Sequence, residues 1–263
     1  MRLFWELVLT SFHRQLAYRA AILAGLATNF FFGLLRLAVL VALFGDQIAV
    51  EGVSKQAAIT YTGLAQAMIG FLSLFSWYEL MNTIYTGGIA SDLLKPMGYF
   101  TYWLGQDVGR ALAQLIMRGL PIMAAYAIFF GIVTPNSPAQ WVAVVISLVL
   151  ALLVSFSWRF LVNLAAFWYP NALGIGRLAF TLSLFLSGFL MPLRFFPDWF
   201  QIICAFTPFP YTINTVVEVY LGVLPRDEVI LSLALQLIWA IILMLAGQIV
   251  LRAGIRKLVI LGG

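Results

Sequence analysis

Long hydrophobic runs, separated by charges, prolines and glycines, dominate the pattern of the chain. A helix needs about 20 mostly apolar residues to cross the hydrocarbon core of a bilayer. Runs of this length predict an all-α membrane protein in which residues 1–263 form a single transmembrane domain. The predicted spans are six: 22–44, 57–78, 112–133, 140–166, 172–191 and 229–251.

Residues 1–20 show a different pattern, because their hydrophobic positions repeat on one side of a helix. The apolar arc consists of Phe4, Trp5, Val8, Leu9, Phe12 and Leu16, opposite Arg2, Glu6, Thr10, His13 and Arg14. This amphipathic pattern predicts an interfacial helix along the inner membrane surface. The alternative is a solvated segment that leads into the first span.

Composition supports the membrane assignment, since 63% of the residues are hydrophobic and only 10% are charged. A soluble domain carries about 25% charged residues, so soluble enzyme folds are excluded. The one cysteine, Cys204, rules out an internal disulfide and a multi-cysteine metal site. The one histidine, His13, lies in the surface helix, so we expect no catalytic residue and no metal site.

The basic residues are distributed unevenly between the two sides defined by the spans. Eleven lie on the side of the termini, against Lys55, Arg194 and Arg226 on the other: Arg2, Arg14, Arg19, Lys95, Arg110, Arg118, Arg159, Arg177, Arg252, Arg256 and Lys257. Basic residues concentrate on the cytoplasmic side of membrane proteins. We therefore predict a multi-pass protein of the cytoplasmic membrane with both termini in the cytoplasm and the loops 45–56 and 192–228 outside. The net charge of +5 reflects this orientation and does not indicate nucleic-acid binding.

The outer segment 192–222 combines prolines with aromatic residues. A proline inside a helix removes a backbone hydrogen bond and costs about 3 kcal/mol, so we expect short helices broken at Pro197 and Pro208. These helices are predicted to enter the outer leaflet and return, with the outer gate formed by Pro192, Pro197, Trp199 and Pro208. The alternative is an extracellular loop that carries a few interfacial aromatic residues.

The longest cytoplasmic connection, residues 85–99, predicts a short surface helix. Ser91 or Asp92 is suited to cap it, Leu93 and Leu94 give it an apolar face, and Pro96 ends it. Such a helix is too short to bury this face by itself. It either docks into a groove of a soluble partner or packs against the chain's own spans.

Polar residues within the spans form two pairs at helical spacing. Asn29 and Arg36 lie on one face of the first span, and Arg159 and Asn163 lie near the inner end of the fourth. These residues are predicted to line a path or a seam between subunits; alternatively, Arg36 extends to the outer lipid phosphates. Neither pair has an obvious carboxylate partner, and the predicted spans contain no Asp or Glu, which argues against a proton-driven carrier. On the inner face, Asp92 and Asp107 are fifteen positions apart without another acid near them, so acid pairs for metal-dependent phosphotransfer are missing.

Two segments resemble those of a known family. Residues 87–97 read Gly-Gly-Ile-Ala-Ser-Asp-Leu-Leu-Lys-Pro-Met and, with Tyr102 and Arg110, resemble the cytoplasmic loop of ABC-2 type permeases. Residues 187–199, 208–211 and 219–222 resemble the outer segment of a subgroup whose permeases pair with a second permease and a separate ATPase. Pro210 next to Pro208 departs from the pattern of that subgroup.

The resemblance implies the permease subunit of an ATP-driven exporter that moves a hydrophobic or amphiphilic substrate. A cytoplasmic ATPase dimer would bind the loop helix, and a second permease, a copy or a relative, would complete the path within the membrane lipid. The coupling residues carried over from the family are Gly88, Asp92, Leu93, Leu94, Lys95 and Pro96, with the interfacial helix bracing them. The sequence contains no phosphate-binding loop, so ATP and Mg²⁺ are expected in the partner and no cofactor in this chain. An ATP-independent carrier or channel and a non-transporting scaffold subunit are the alternative functions.

Overall fold

A computed structural model describes residues 2–17, 19–169 and 171–257. Met1 and Tyr18 of the predicted interfacial helix, the side chain of Arg19 and residues 258–263 of the predicted domain lie outside the described part. The helices are α1 (Arg2–Leu16), α2 (Arg19–Phe44), α3 (Lys55–Leu72), α4 (Glu79–Tyr85), α5 (Ile89–Leu93), α6 (Tyr99–Gln114), α7 (Leu120–Phe130), α8 (Pro138–Asn163), α9 (Leu173–Leu186), α10 (Asp198–Ala205), α11 (Asn214–Leu221) and α12 (Arg226–Ile255). A two-stranded antiparallel hairpin, β1 (Ala49–Val50) and β2 (Val53–Ser54), follows α2.

The fold class of an all-α membrane protein is confirmed. Within the described ranges, four helical stretches are long and apolar enough to cross a membrane: Ala20–Phe44, Tyr99–Phe130, Pro138–Phe167 and Arg226–Ile255. They correspond to the first, third, fourth and sixth predicted spans. The second predicted span contains α3, and the fifth contains the shorter apolar helix α9. Neither helix is among the four that are long and apolar enough to cross a membrane.

Helix α3 lies at the centre of the fold and packs against α2, α6, α7, α8 and α11. Protein rather than lipid surrounds it, so it buries polar residues such as Thr60, Thr62 and Gln66. It begins at Ser54, whose hydroxyl accepts a hydrogen bond from the backbone N–H of Ala57 at 3.1 Å. Burial in protein explains why its composition is less apolar than that of a lipid-facing span.

The predicted start of the third span at residue 112 is wrong. The helix begins at Tyr99 and continues through a π-helical turn, Leu115–Gly119, to Phe130. Its first part is amphipathic, because one face packs against α1 and includes the buried residues Gly105 and Gly109. The mean hydropathy of the segment does not reveal such a helix, because polar residues on its other face lower the mean.

Helix α1 packs against α6 and so differs from a helix that only lies on a membrane surface. Val8 and Ser11 are buried there, and the Ser11 hydroxyl donates a hydrogen bond to the Gln106 carbonyl oxygen at 2.6 Å. Trp5 and Leu9 from the predicted apolar arc remain more than half exposed. One face of α1 is thus held by protein, while an apolar edge stays open.

The outer segment forms short helices at the predicted places. Helix α10 begins directly after Pro197 and ends before Pro208, and α11 follows as a second short helix. A 3₁₀ turn, Leu193–Phe195, follows Pro192. Almost all of α11 is buried, because it packs against α3 and α8.

Candidate coupling and transport sites

The predicted loop helix is present as α5, a single helical turn that lies between α4 and α6. Gly88 is its N-cap, and no side chain caps it, so the predicted cap by Ser91 or Asp92 is wrong. The Ser91 hydroxyl instead donates a hydrogen bond to the Gly88 carbonyl oxygen at 2.8 Å. Helix α5 ends at Leu93, three residues before Pro96, as the proline predicts.

The two leucines of the predicted apolar face point to different environments. Ile89 is 1% exposed and packs, with the half-buried Leu93, against an aromatic cluster of the chain itself. This cluster consists of Trp77, Tyr99, Phe100, Trp103, Phe156 and Phe160. Leu94, in contrast, is 87% exposed. The idea of a single Leu93–Leu94 face is therefore wrong: α5 is anchored by Ile89 and Leu93 and presents Leu94 outward.

Charged residues fix the end of α5. Asp92, which is buried, forms an ion pair with Lys95. The ammonium group of Lys95 also lies 3.6 Å from the centre of the Tyr102 ring. Burial of the ammonium acts to lower its pKa, but Asp92 and Tyr102 outweigh this effect and raise the pKa of Lys95 above its usual value. Lys95 is therefore held as a cation beside Leu94.

A buried charge cluster joins α6 to α8, so the prediction that Arg159 has no carboxylate partner within the membrane is wrong. Asp107 receives two hydrogen bonds from Arg159, at 3.0 and 2.7 Å, and one from Arg110 at 2.9 Å. The side chain of Asp107 is fully buried and that of Arg159 is 2% exposed. Such a bidentate pair is strong and geometrically specific. Since Asp107 lies in a membrane-crossing helix, the argument against a proton-driven carrier loses its premise.

The same cluster supports a break in the chain between α3 and α4. Arg110 donates hydrogen bonds to the carbonyl oxygens of Gly70 and Phe71 at the end of α3. The Gly70 oxygen also accepts a hydrogen bond from the backbone N–H of Ser73. The Ser155 hydroxyl donates to the carbonyl oxygen of Leu72 at 2.9 Å. The predicted second span, 57–78, is therefore not one continuous helix. Broken backbone within a membrane survives only where protein supplies its hydrogen bonds.

Asn163, one of the predicted polar residues, holds the other end of this break. Its amide group donates to the carbonyl oxygen of Trp77 at 2.9 Å, and its oxygen accepts from the N–H of Met81 at 2.9 Å. With Ser155 and Arg159, it forms a stripe on α8 at spacings of four residues. These residues are buried and clamp the segment 73–78.

Replacing Asn163 with leucine is expected to destabilise the protein by about 1–3 kcal/mol, because the buried groups of Trp77 and Met81 lose their partner. Thermal unfolding in detergent micelles measures the change. The control is Asn171→Leu, since Asn171 is exposed. Equal melting temperatures for the two variants would contradict the proposed clamp.

The other predicted pair, Asn29 and Arg36, lies elsewhere, at a cavity of about 600 Å³ between α2 and α3. The guanidinium carbon of Arg36 lies 4.3 Å from the centre of the Phe189 ring. Its terminal nitrogens are covered by protein, so the side chain does not extend to lipid phosphates. The structure brings Asn29 and Arg36 together, but it separates them from Arg159 and Asn163.

The four residues of the predicted outer gate differ in their exposure. Pro192 and Pro208 are buried, whereas Pro197 and Trp199 are exposed. The outer segment is held instead by an ion pair at 2.8 Å between Arg194 and Glu218. Burial raises the pKa of the Glu218 carboxyl, although Arg194 acts in the opposite direction.

Sequence reasoning missed Asp107, Arg110 and Ser155. The spacing of Asp107 and Arg110 by three residues in a helix was a usable signal, because such pairs face each other. Their contact with Arg159 spans 52 positions and leaves no local signal. In the described residues, no group of three or more His, Cys, Asp or Glu side chains lies close enough to hold a metal ion.

Comparison with known proteins gives one family. A family model described as "ABC-2 family transporter protein" matches residues 30–262. No curated protein and no solved structure was found to match the chain.

Proposed function

We propose a function from the premise that the chain belongs to the ABC-2 family of transporter proteins. As a membrane protein of this family, it is a transport component and not itself catalytic. The proposed function is that of the permease subunit of an ATP-driven exporter for a hydrophobic or amphiphilic substrate. ATP and Mg²⁺ would bind to a separate cytoplasmic ATPase dimer, because the sequence contains no phosphate-binding loop.

The observation that carries this proposal is the geometry of α5. Leu94 is 87% exposed, although it is flanked by residues that are anchored in the protein. Ile89 and Leu93 pack on the aromatic cluster, and Lys95 is fixed by Asp92. A rigid turn that presents one large apolar side chain beside one cation is suited to insert into a groove of a soluble partner.

A continuous set of contacts connects α5 to the centre of the fold. The aromatic cluster under α5 includes Phe156 and Phe160 of α8, the helix that also carries Arg159. Arg159 binds Asp107, and Arg110 next to it binds the end of α3. Movement of α5 on ATP binding would thus be transmitted to α3, whose break at residues 73–78 provides a hinge.

The proposed topology has six crossings, with both termini in the cytoplasm and the protein in the cytoplasmic membrane. Helices α3 and α9 would supply the second and fifth crossings. Arg159 is buried and the side chain of Arg110 is only 12% exposed, so neither counts as a loop charge. This reduces the eleven inner basic residues to nine, still against three. This excess supports the orientation.

A second permease would pack against the exposed side of α2. This side presents Phe31, Phe32, Leu35 and Val39, each about half exposed or more. The last three also line the cavity beside α2, so this cavity would lie next to the second permease. Membrane lipid would cover the remaining apolar surface. The second subunit is either a copy of this chain or a relative.

The ATP-independent carrier is less well supported. Asp107 is a carboxylate inside a membrane-crossing helix, but two arginines bind it. An acid held as an anion in this way is poorly suited to pick up and release protons.

Replacing Leu94 with aspartate is expected to abolish co-purification of the ATPase while leaving the permease folded, because the side chain is exposed and contributes little to the core. The measurement is ATP hydrolysis by the complex purified through a tag on this chain. Leu93 is unsuitable for the test, since it packs on the chain's own core.

Ile48→Asp is the matched control. Ile48 is 86% exposed and lies in the loop on the opposite side of the proposed topology. This variant is expected to retain the ATPase. Retention of full ATP hydrolysis by the Leu94 variant, or equal loss in both variants, would contradict the assignment of α5.

A further inference from the structure

The cavity beside α2 has the size and lining of a site for a small molecule. Its volume of about 600 Å³ lies within the range of known ligand pockets. Most of its wall is hydrophobic and is formed by Phe32, Leu35, Val39, Ile69, Phe75 and Phe189. Such a wall favours a ligand with a hydrocarbon portion.

The polar groups in this cavity are incompletely paired. Among the described residues, no hydrogen-bond partner is present for either terminal nitrogen of Arg36, the amide nitrogen of Asn29 or the amide oxygen of Gln66. These atoms are also covered from solvent. A covered guanidinium without a partner is costly, so the site is complete only when an acceptor binds.

The missing acceptor is not supplied by this chain. In the described part, no acidic residue forms an ion pair with Arg36, and helix α2 contains no acid. The acids nearest in sequence lie beyond the end of the helix. Arg36 lies about 12 Å below the end of α2 at 1.5 Å per residue, whereas the nearest acids in sequence, Asp46 and Glu51, follow that end.

The chemistry of the donors defines the ligand. A guanidinium group binds carboxylate and phosphate through two parallel hydrogen bonds. The Asn29 amide adds a donor seven residues before Arg36 on the same side of α2. Gln66 can also present its N–H groups when its amide is rotated. Arg36 and the Phe189 ring that stacks on it both line the cavity.

We propose that this cavity binds the anionic head of a transported amphiphile, a carboxylate or phosphate with a hydrocarbon tail, through Arg36 and Asn29. The phenylalanines and aliphatic residues of the wall hold the first part of the tail. This inference rests on the proposed transport function and names the substrate class.

The test uses the full-length chain, with the subunits that co-purify, in nanodiscs of phosphatidylcholine. Binding is measured for oleate and oleoyl lysophosphatidate, with oleyl alcohol as the neutral probe of matched tail. Arg36→Gln is expected to weaken binding of both anions about tenfold or more, because a charge-assisted bidentate contact is lost, and to leave oleyl alcohol unchanged. Arg36→Lys is expected to retain part of the affinity.

The Arg36→Gln variant is expected to fold, since the change removes a covered charge that has no partner. Should it fail to fold, Asn29→Ala provides the second variant, with a smaller selective loss for the anions. Equal binding of anions and oleyl alcohol by the unchanged protein, or unchanged anion binding in both variants, would overturn the inference.

ATP hydrolysis separates a transported substrate from a resident lipid. Oleate or oleoyl lysophosphatidate is expected to stimulate ATP hydrolysis by the complex, and this stimulation is expected to disappear in Arg36→Gln. Selective binding without stimulation would mean a resident lipid and would overturn the substrate assignment. If the ATPase co-purifies but anions do not bind selectively, only this inference fails; if no ATPase co-purifies at all, the proposed function fails.

Discussion

Replacing Asp107 with alanine is expected to lower the free energy of unfolding by about 3–5 kcal/mol, the largest loss for any single change considered. The substitution leaves Arg159 and Arg110 buried next to each other without a counter-charge. Removing one partner of a buried ion pair has this cost because the remaining charge is neither solvated nor paired. The change is measured by thermal or denaturant unfolding in detergent micelles.

The matched control is an ion pair on the surface. Arg2 and Glu6 lie 3.9 Å apart, and their side chains are 94% and 63% exposed. Glu6→Ala is expected to cost less than about 1 kcal/mol, because water and salt screen this pair. A loss for the Asp107 variant no larger than that for the Glu6 variant would show that the buried cluster does not hold α6 against α8.

Replacing Gly109 with alanine is expected to separate α1 from α6 and to cost about 3 kcal/mol, the upper end of the usual penalty for overpacking. A Cβ atom at Gly109 would overlap the backbone oxygen of Val8 and lie 2.9 Å from the backbone nitrogen of Phe12. Neither backbone atom can move without a shift of the whole helix. The result is measured as a lower melting temperature together with faster proteolysis of the N-terminal segment.

Gly174→Ala is the control for this prediction. Gly174 also lies in a helix, but among the described residues no heavy atom comes within 4 Å of an added Cβ. The variant is expected to be slightly more stable, by less than about 1 kcal/mol, because alanine favours the helix. Equal effects at both positions would mean that α1 is not held closely against α6.

Features with local signals were predictable from the sequence. Prolines marked the start of α10 and the end of α5, because proline restricts its own residue and the one before it. Helices α2, α8 and α12, which are long and apolar enough to cross a membrane, are predictable from hydropathy, since a bilayer core requires about 20 mostly apolar residues.

Features that depend on long-range contacts were not predictable. The partners of Asp107 come together only through packing of α6 against α8. The break after Leu72 depends on Ser73, which adopts a left-handed conformation with φ of 51° and has no distinctive sequence around it. Leu93 is partly buried and Leu94 is exposed. Because α5 is only one turn long, the direction of each side chain depends on where that turn packs against the rest of the chain.

The most direct test of the proposed contact between α5 and the partner ATPase is a cross-link between the two. Cys204, the one cysteine of the chain, is buried, so Leu94→Cys and Ile48→Cys each add one accessible thiol. A thiol-reactive photo-cross-linker is attached to each variant in native membranes, and the products are identified by mass spectrometry. The account predicts an adduct between Leu94→Cys and a nucleotide-binding ATPase subunit and none from Ile48→Cys. Absence of an ATPase from the Leu94→Cys products, or equal labelling from both positions, would contradict it.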